Sequence, residues 1–374
     1  MFKGIPEKSK AVIFQGNQTS GWENLAAWNP VDSISLSLKE PPLQLVDFVN
    51  KNKGKFMAGF ITYEFGAKEL NVPPHNLTGN LPAAHFRVYD TFLKNSNKGI
   101  SHSSTWEEFT PIISQKKYNA DFYKIKSYII EGEFYQVNYT HPLKSKTDSP
   151  PRKLFQSFRS RNKVGYSVFF ENDSWVIHCL SPEQFIIINN RTVLTQPIKG
   201  TILRGNTLES DENNLKTLLT NEKEQAELYM IIDLLRNDLG KVCKTGSVKV
   251  LKSKAVRKLE KVFHTYGVIE GKLKKEIQPI EALLSMSPGG SISGCPKKRA
   301  CEVIHEMEKY SRGIYTGTIG YILPDGTLNF NIAIRTVVQM GNELTLGVGG
   351  GITIGSNNND EYKETLAKAA SFQP

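Results

Sequence analysis

The chain has 374 residues, enough for one large domain or two ordinary ones, and 39% of them are hydrophobic, which allows a sizeable core. Its formal net charge of +10 comes from lysines and arginines spread along the whole length, with no basic block interleaved with aromatic residues. That distribution argues against a nucleic-acid groove and suits an anionic small substrate steered towards a cleft. A basic nucleic-acid-binding domain would rest on the charge alone.

The cysteines and the apolar segments restrict the class of protein further. The four cysteines form no Cys-x-x-Cys pair and have no matching histidine spacing, so the sequence predicts free thiols and no zinc site. No stretch approaches the roughly 18 apolar residues of a membrane span, and the N-terminus lacks a signal-peptide core. We therefore expect a soluble, cytoplasmic protein without a membrane partner.

Strand patterns dominate the first third of the chain. Runs rich in β-branched and aromatic residues predict strands over 10–16, 55–65 and 84–93. The polar stretch 95–111 has no clear period and is the best candidate for a seam. The chain thus divides into a β-rich N-terminal portion, 1–110, and a second portion, 115–371, which we expect to form one structural unit.

Helical patterns alternate with strand pairs from about residue 115 onwards. The first helix is expected to start near Tyr118 and Asn119, and the helical stretches are 121–132, 151–161, 221–239, 298–310 and 359–371. Predicted caps are Asn221 for the third of these and Asn359 or Asp360 for the last, with Gly240 as a stop. Short turns between strands are typical of antiparallel sheets, so the predicted class is α+β with helices packed outside.

Two of these helices carry glutamate pairs on one face. Glu224 and Glu227 are three residues apart, as are Glu361 and Glu364, which Lys368 follows. Such pairs can be ordinary solvated faces. They can also form a Mg2+ site, because a hard cation accepts carboxylate oxygens and needs few protein ligands. The spacing alone does not decide between the two.

Two glycine-rich stretches and one lysine also attract attention. The glycines of 288–297 and 347–355 could bring backbone amides close to an anion, although neither stretch matches a nucleotide-binding pattern and tight turns remain the alternative. Lys199 lies in TQPIKGT, at the end of an apolar strand pattern. An ammonium on an inward position needs a partner or a function, whereas on an outward position it is an ordinary surface group.

Five long motifs resemble the chorismate-utilising enzymes and follow the order of that family. They are EQAELYMIIDLLRNDLGKVC, SPGGSISGCPKKRACEVI, RGIYTGTIGYI, NFNIAIRTVV and GVGGGITIGSNNNDEYKETLAK. The resemblance implies two antiparallel β-sheets packed face to face with helices outside, and it makes 115–371 the chorismate-binding catalytic portion. The first 110 residues match loosely, best at GFITYEFG.

The PIKGT stretch resembles the family members that form 4-amino-4-deoxychorismate, because the anthranilate-forming members carry alanine there. This resemblance implies that Lys199 attacks ring carbon 2 while Glu183 protonates the hydroxyl that leaves carbon 4. Ammonia would then add at carbon 4 and expel the lysine. Burial would raise the pKa of Glu183, and the positive charges of Mg2+, Arg335 and Lys368 would lower that of Lys199.

The resemblance also assigns the rest of the pocket. Glu227 and Glu364 would bind Mg2+ directly, and Glu224 and Glu361 would do so directly or through water. The implied substrate-binding residues are Lys368, Gly350 and Gly351 at the ring carboxylate, Arg335 and Tyr315 at the enolpyruvyl carboxylate, and Ser291, His264 and Gln136 in the pocket around the ring. Gln136 stands where water-using relatives have a lysine base, which implies ammonia as the nucleophile.

Some family features differ or are absent in this sequence. Leu228 replaces a histidine, and Thr265 belongs to HTYG where relatives tend to read HLVS. No glutaminase motif is visible, so ammonia is expected from a glutamine amidotransferase subunit or from solution. The LLES motif is missing, so no inhibition by tryptophan is expected.

The expected activity is conversion of chorismate and ammonia to 4-amino-4-deoxychorismate for para-aminobenzoate and folate synthesis. The alternative within the family is anthranilate formation. A chorismate-binding protein without catalysis would require loss of Glu183 or of the metal-binding glutamates, and all of these are present.

Overall fold

The computed structural model describes residues 3–17, 22–94, 104–260 and 262–374. The described strands are β1 (Val12–Gln15), β2 (Leu25–Ala27), β3 (Asp32–Leu36), β4 (Phe56–Ile61), β5 (Ala84–Tyr89), β6 (Leu93–Lys94), β7 (Thr110–Pro111), β8 (Gln136–Lys146), β9 (Tyr166–Glu171), β10 (Val176–Ser181), β11 (Gln184–Asn189), β12 (Thr192–Gln196), β13 (Ile198–Leu203), β14 (Lys249–Lys258), β15 (Val262–Lys272), β16 (Gly294–Cys295), β17 (Thr318–Ile322), β18 (Leu328–Ile332), β19 (Thr336–Met340) and β20 (Glu343–Thr353). The described helices are α1 (Leu43–Lys51), α2 (Tyr63–Lys68), α3 (Gln115–Ile130), α4 (Pro151–Arg161), α5 (Leu208–Thr220), α6 (Glu222–Val242), α7 (Pro279–Met286), α8 (Gly290–Ser293), α9 (Lys297–Met307) and α10 (Asn358–Ala369), with a 3-10 turn at Ala370–Phe372.

The described strands form two sheets of ten strands each. Sheet A has the order β16-β8-β20-β19-β10-β9-β1-β2-β6, with β7 on β8. Sheet B has the order β13-β15-β12-β11-β18-β17-β4-β5-β3, with β14 on β15. Their pairings are antiparallel. The predicted α+β class with two antiparallel sheets is confirmed.

Aromatic side chains fill the space between the two sheets. Phe14 of sheet A contacts Tyr321 of sheet B with ring centroids 5.0 Å apart, and Phe170 meets Phe60 at 5.9 Å. All four are buried. Because burying one such side chain stabilises a fold by about 1.5–3 kcal/mol, this layer holds the sheets face to face.

The N-terminal strands are distributed between both sheets. β1, β2 and β6 belong to sheet A, whereas β3, β4 and β5 belong to sheet B. β1 pairs with β9 over four residues, and β4 pairs with β17 over five. The strands after residue 115 therefore complete neither sheet on their own.

The structure corrects two predicted element boundaries. The strand predicted over 55–65 ends at Ile61, because the Thr62 hydroxyl accepts the Phe65 N–H at 3.3 Å and caps α2. The stop predicted at Gly240 is wrong, since α6 continues to Val242.

One predicted helix start is confirmed by the structure, and two differ from it. The predicted cap at Asn221 is confirmed, since its side chain accepts the Glu224 N–H at 3.1 Å. The helix expected near Tyr118 begins after Ser114, and α10 is capped by Asn357 rather than by Asn359 or Asp360. The part of the predicted seam at 95–103 lies outside the described residues. No helix in the described ranges is both long and apolar enough to cross a bilayer.

Candidate active site

A bulge in β13 positions Lys199. In the ladder between β13 and β15, Lys199 lies opposite Thr265 and Thr201 lies opposite His264, so Gly200 is the extra residue. Gly200 has a φ of +76°, which favours glycine, and a Cβ there would lie 2.6 Å from the Thr265 Oγ1. The Thr265 hydroxyl also donates a hydrogen bond to the Lys199 carbonyl. The backbone at Lys199 is thus fixed by the bulge itself.

The Lys199 amine faces carboxylates. Its Nζ lies 2.6 Å from the Glu227 Oε2 on α6, and the two side chains are only 24% and 12% exposed. Burial acts to lower the pKa of Lys199, but the charges of Glu227, Glu224 and Glu364 outweigh it and raise that pKa. The predicted lowering of the Lys199 pKa is therefore wrong for the pocket formed by the protein side chains alone, because the groups nearest the amine are negatively charged.

The predicted metal-binding glutamates lie on two helices, and three of them, Glu227, Glu224 and Glu364, act on this amine. A Cβ on Gly350 would lie 3.1 Å from the Glu361 Oε2 and 4.0 Å from the Glu364 Oε1, so α10 presents its carboxylates to β20. Burial raises the pKa of Glu361 and of Glu224, and neighbouring carboxylates add to both shifts.

Lys368 forms an ion pair with one of these carboxylates. Its Nζ lies 2.7 Å from the Glu364 Oε1 and donates to the Gly349 carbonyl at 2.8 Å. Burial acts to raise the pKa of Glu364, but the Lys368 charge outweighs it and the pKa is lowered. The end of α10 and the glycines of β20 are thus tied together by one ammonium group.

These carboxylates fit a divalent cation in kind. Within the described ranges no three His, Cys, Asp or Glu side chains are grouped so as to hold a metal ion. The Lys199 and Lys368 ammonium groups contact Glu227 and Glu364 instead. The donor set consists only of carboxylate oxygens, which are the ligands that Mg2+ prefers.

Glu183 lies between β10 and β11 and is only 6% exposed. The Ser291 hydroxyl on α8 donates to its Oε1 at 2.8 Å. Burial raises the pKa of Glu183 to about 7, although the Ser291 hydrogen bond and the Lys199 charge act against it. A carboxyl group with this pKa is partly protonated at neutral pH and can act as a general acid, as the sequence led us to expect.

A cavity of about 240 Å³ opens beside β13 and holds both His264 and Arg335. The His264 Nδ1 lies 2.7 Å from the Thr201 Oγ1. Burial lowers the pKa of His264 to about 4, and the Arg335 and Arg257 charges contribute, so the imidazole is neutral at neutral pH.

Arg335 is held in a strained backbone conformation with a φ of +51°. Burial lowers its pKa, and its guanidinium has no hydrogen bond or ion pair within the described part of the chain. Such a half-buried cation is available to an anionic ligand.

Tyr315 packs against β20 at Gly347, where a Cβ would lie 2.2 Å from the tyrosine Cγ. Burial raises the pKa of Tyr315, so its hydroxyl stays protonated and can donate a hydrogen bond. Among the described residues Tyr315 and Arg335 share no hydrogen bond, and their joint binding of the enolpyruvyl carboxylate stays a prediction.

Gln136 begins β8 and contacts the glycines of β20. It is 1% exposed, and its Nε2 lies 2.8 Å from where a Cβ on Gly351 would be. Its Oε1 is buried without a hydrogen-bond partner in the described residues. A buried acceptor without a donor costs about 1–3 kcal/mol, so a ligand N–H or O–H there would be favourable.

A buried ion pair behind the site is not singled out by the sequence. The Arg312 guanidinium donates to both Glu308 oxygens at 2.7 and 2.8 Å, and both side chains are 1% exposed. Arg312 also donates to the carbonyls of Ile292 and Asn138, next to Ser291 on α8 and two residues after the start of β8. The sequence signal for this pair is limited to Arg312, which begins the RGIYTGT motif, because Glu308 lies before that motif.

The family model described as chorismate binding enzyme matches residues 10–374. The chain belongs to the chorismate-binding enzyme family. An aminodeoxychorismate synthase of Arabidopsis thaliana chloroplasts is 39% identical over 273 residues, which cover 72% of this chain and 30% of that protein. Aminodeoxychorismate synthase component 1 of Bacillus subtilis is 38% identical over 67% of this chain and 53% of its own length. The chain therefore spans less than a third of the first relative and about half of the second.

Other members of the family cover more of the chain. Anthranilate synthase component 1 of Haloarcula marismortui is 33% identical over 95% of this chain and 68% of its own length. The crystal structure of anthranilate synthase component I from Streptococcus pneumoniae superposes with a TM-score of 0.82 at 26% identity, covering 96% of this chain and 92% of that one. The menaquinone-specific isochorismate synthase of Escherichia coli shares the fold, with a TM-score of 0.75 at 17% identity over 97% and 88% of the two chains. These relatives establish the family and its fold and leave the individual reaction open.

Proposed function

We propose that this chorismate-binding enzyme is the synthase component that converts chorismate and ammonia to 4-amino-4-deoxychorismate. The observation that carries the proposal is Lys199, a largely buried amine held between two acidic helices and close enough to Glu183 to influence its pKa. Two relatives at 38% and 39% identity bear the name aminodeoxychorismate synthase. Anthranilate formation is the second candidate, supported by the match to Haloarcula over 95% of the chain.

In the proposed reaction the neutral Lys199 amine forms a bond to ring carbon 2 of chorismate, and the two conjugated ring double bonds shift towards carbon 4. The bond between carbon 4 and its hydroxyl oxygen breaks as Glu183 donates a proton to that oxygen, and water leaves. Ammonia then forms a bond to carbon 4 and returns a proton to Glu183, while the double bonds shift back and the bond from carbon 2 to the lysine nitrogen breaks and frees the amine. Lys199 must first lose a proton, together with its contact to Glu227.

The remaining residues bind and orient the substrate in this proposal. Arg335, which has no side-chain partner among the described residues, offers a guanidinium fork to the enolpyruvyl carboxylate, and Tyr315 adds a hydroxyl donor. Lys368 with the amides of Gly350 and Gly351 receives the ring carboxylate. Gln136 cannot remove a proton from water at neutral pH, which agrees with ammonia as the nucleophile.

Mg2+ is part of the proposal, with Glu227 and Glu364 as direct ligands and Glu224 and Glu361 bound directly or through water. A bound Mg2+ would supply a positive charge for the ring carboxylate. We expect Glu227→Gln and Glu364→Gln each to raise the Mg2+ concentration for half-maximal activity at least ~10-fold, because each removes a charged ligand. Activity measured in Mg2+ titrations checks this, and full activity in chelator would contradict it.

Product identification tests the function directly. The chain is incubated with chorismate, Mg2+ and ammonium, and the product is identified by mass and by comparison with authentic standards. 4-Amino-4-deoxychorismate is expected, whereas anthranilate with pyruvate would favour the second candidate and unchanged chorismate would contradict both. Glutamine should replace ammonium only when a glutamine amidotransferase subunit is added.

A further inference from the structure

Arg257, which lies outside every motif named above, shares the cavity with Arg335 and His264. It lies on β14 directly opposite His264 of β15. Its guanidinium packs over the Tyr266 ring at 4.7 Å, and its Nη2 donates to the Gln196 Oε1 at 2.8 Å. Neither contact neutralises the charge, and a guanidinium has five N–H donors, so most of them remain for a ligand.

The guanidiniums of Arg257 and Arg335 line one cavity, and the one carboxylate among its described lining residues, Glu260, is paired with Lys163. Neither Arg257 nor Arg335 forms an ion pair within the described ranges. Lys163, which lines the same cavity, is paired with Glu260 at 2.9 Å. His264 between the arginines is buried and neutral at neutral pH. The cavity is therefore electrostatically prepared for an anion, and Arg257 adds its charge to those of Arg335 and of Arg161, which also lines the cavity and donates to the Gln373 carbonyl.

Both arginines are half-buried, but they lie on different parts of the fold. Arg335 is buried enough for its pKa to fall, and it shares its cavity with the neutral His264. Arg257 belongs to β14, which pairs only with β15 among the described strands, and the exposed Leu203 and Glu260 line the same cavity. Stacking on Tyr266 fixes the plane of the Arg257 guanidinium and leaves its N–H edges accessible.

We propose that Arg257 is a substrate-binding residue at the outer end of the cavity, where it captures a carboxylate of the incoming ring dicarboxylate before Arg335 holds it. This inference rests on the proposed function, which makes chorismate the substrate. A guanidinium fork matches a carboxylate, and a positive cavity wall raises the rate at which an anion arrives. Arg257 takes no part in bond formation or cleavage.

The test is Arg257→Gln, assayed with chorismate, Mg2+ and ammonium at increasing NaCl concentrations. We expect KM to rise about 10-fold while kcat stays within about 2-fold, since a contact made equally in ground and transition states is lost. The decrease of kcat/KM with salt should also become shallower, because part of the attraction is gone. Arg236→Gln is the matched control, since it removes the same charge from an arginine that is 53% exposed on α6.

Arg257→Lys separates charge from geometry and carries the test if the glutamine variant folds poorly. It keeps the charge without the fork, so its KM should lie between those of the parent chain and Arg257→Gln. Calorimetric titration with chorismate gives an independent readout of binding. Unchanged KM, affinity and salt dependence in Arg257→Gln would overturn this inference and leave the proposed function intact. Failure of the parent chain to bind chorismate would overturn both.

Discussion

At the scale of single residues, the contact between Lys199 and Glu227 sets the condition for catalysis. At 2.6 Å the carboxylate stabilises the ammonium form, which is not a nucleophile. In the proposed mechanism, attack on chorismate therefore requires that ligand binding changes the charge around this amine. The raised pKa of Lys199 describes the chain before such a change.

The proposed covalent role of Lys199 predicts an adduct when ammonia is withheld, because nothing then displaces the lysine. Intact-mass measurement after acid quench should show one chorismate minus water, and peptide mapping should place it on Lys199. Lys199→Ala should abolish the adduct and slow 4-amino-4-deoxychorismate formation by at least ~10²-fold. Lys216→Ala, which changes an exposed lysine of α5, serves as control. An unmodified parent chain and a normal rate in Lys199→Ala would contradict the covalent role.

The buried Glu183 predicts how activity depends on pH. Its pKa of about 7 means that the acid form needed for proton donation is lost as the pH rises through 7. The rate constant of the chemical step should therefore decrease above pH 7, and Glu183→Gln should reduce it ~10²–10⁴-fold. Single-turnover rates between pH 5.5 and about 9 check this. A flat pH profile shared by both chains would rule out Glu183 as the acid.

The same carboxyl group also affects stability. Its folded-state pKa of about 7 lies above the ordinary value of 4.5, so the folded chain holds this proton more tightly than the unfolded chain. The resulting stability is fully present below pH 4.5 and is lost as the pH rises to 7, by on the order of 3 kcal/mol. Urea unfolding of Glu183→Gln should accordingly show a smaller decrease in the free energy of unfolding over that range.

At the scale of elements, the bulge at Gly200 predicts that alanine substitution has different effects on activity at two glycines with the same backbone angle. Gly200 and Gly246 both have a φ of +76°, but a Cβ would contact the Thr265 Oγ1 at the first and nothing within 4 Å at the second. Both alanine variants should lose about 1–2 kcal/mol from the left-handed backbone. Gly200→Ala should also lower kcat at least ~10-fold, because Lys199 is displaced. Equal kcat values in the two variants would show that the bulge does not position the lysine.

Helices were predictable from the sequence where the local pattern agreed with the packing. The helix predicted over 151–161 matches α4, and Asn221 caps α6 as expected. Gly240 failed as a stop because the buried Leu239 and Val242 continue the packed face of α6 past the glycine. The polar helix α5 was not predicted, since only Leu218 of its residues is buried and no apolar stripe marks it.

The candidate site was predictable only in part, because its charges are brought together by tertiary packing and not by local sequence. Motif resemblance pointed to Lys199 and Glu183, but the sign of the pKa shift at Lys199 depends on which charges three separate elements bring together. Arg257 lies outside every motif, and the motif that contains Arg312 assigns it no role. The Tyr266 and Gln196 partners of Arg257, and the Ile292 and Asn138 carbonyls that bind Arg312, come from elements that only the fold makes adjacent.

At the scale of the whole molecule, the division of the N-terminal strands predicts that residues 115–374 cannot fold alone. That fragment would keep every proposed catalytic residue and lose β1 and β4, leaving β9 and β17 with unpaired edges. Open strand edges promote pairing between chains. We expect the fragment to aggregate while the full chain remains monodisperse, as measured by light scattering on matched preparations. A monomeric fragment with cooperative unfolding would contradict this.

The shared sheets also determine what a genetic screen for loss of activity would return. Substitutions of Val12 or Phe60, which are buried in β1 and β4 and belong to no proposed site, should be recovered alongside those of Lys199 and Glu183. Substitutions of the first pair would lower the amount of folded protein and leave the turnover per folded molecule unchanged. Substitutions of the second pair would lower that turnover and leave the amount of folded protein unchanged. Loss of folded protein and loss of catalytic activity would thus arise from substitutions in different parts of one polypeptide that folds as a unit.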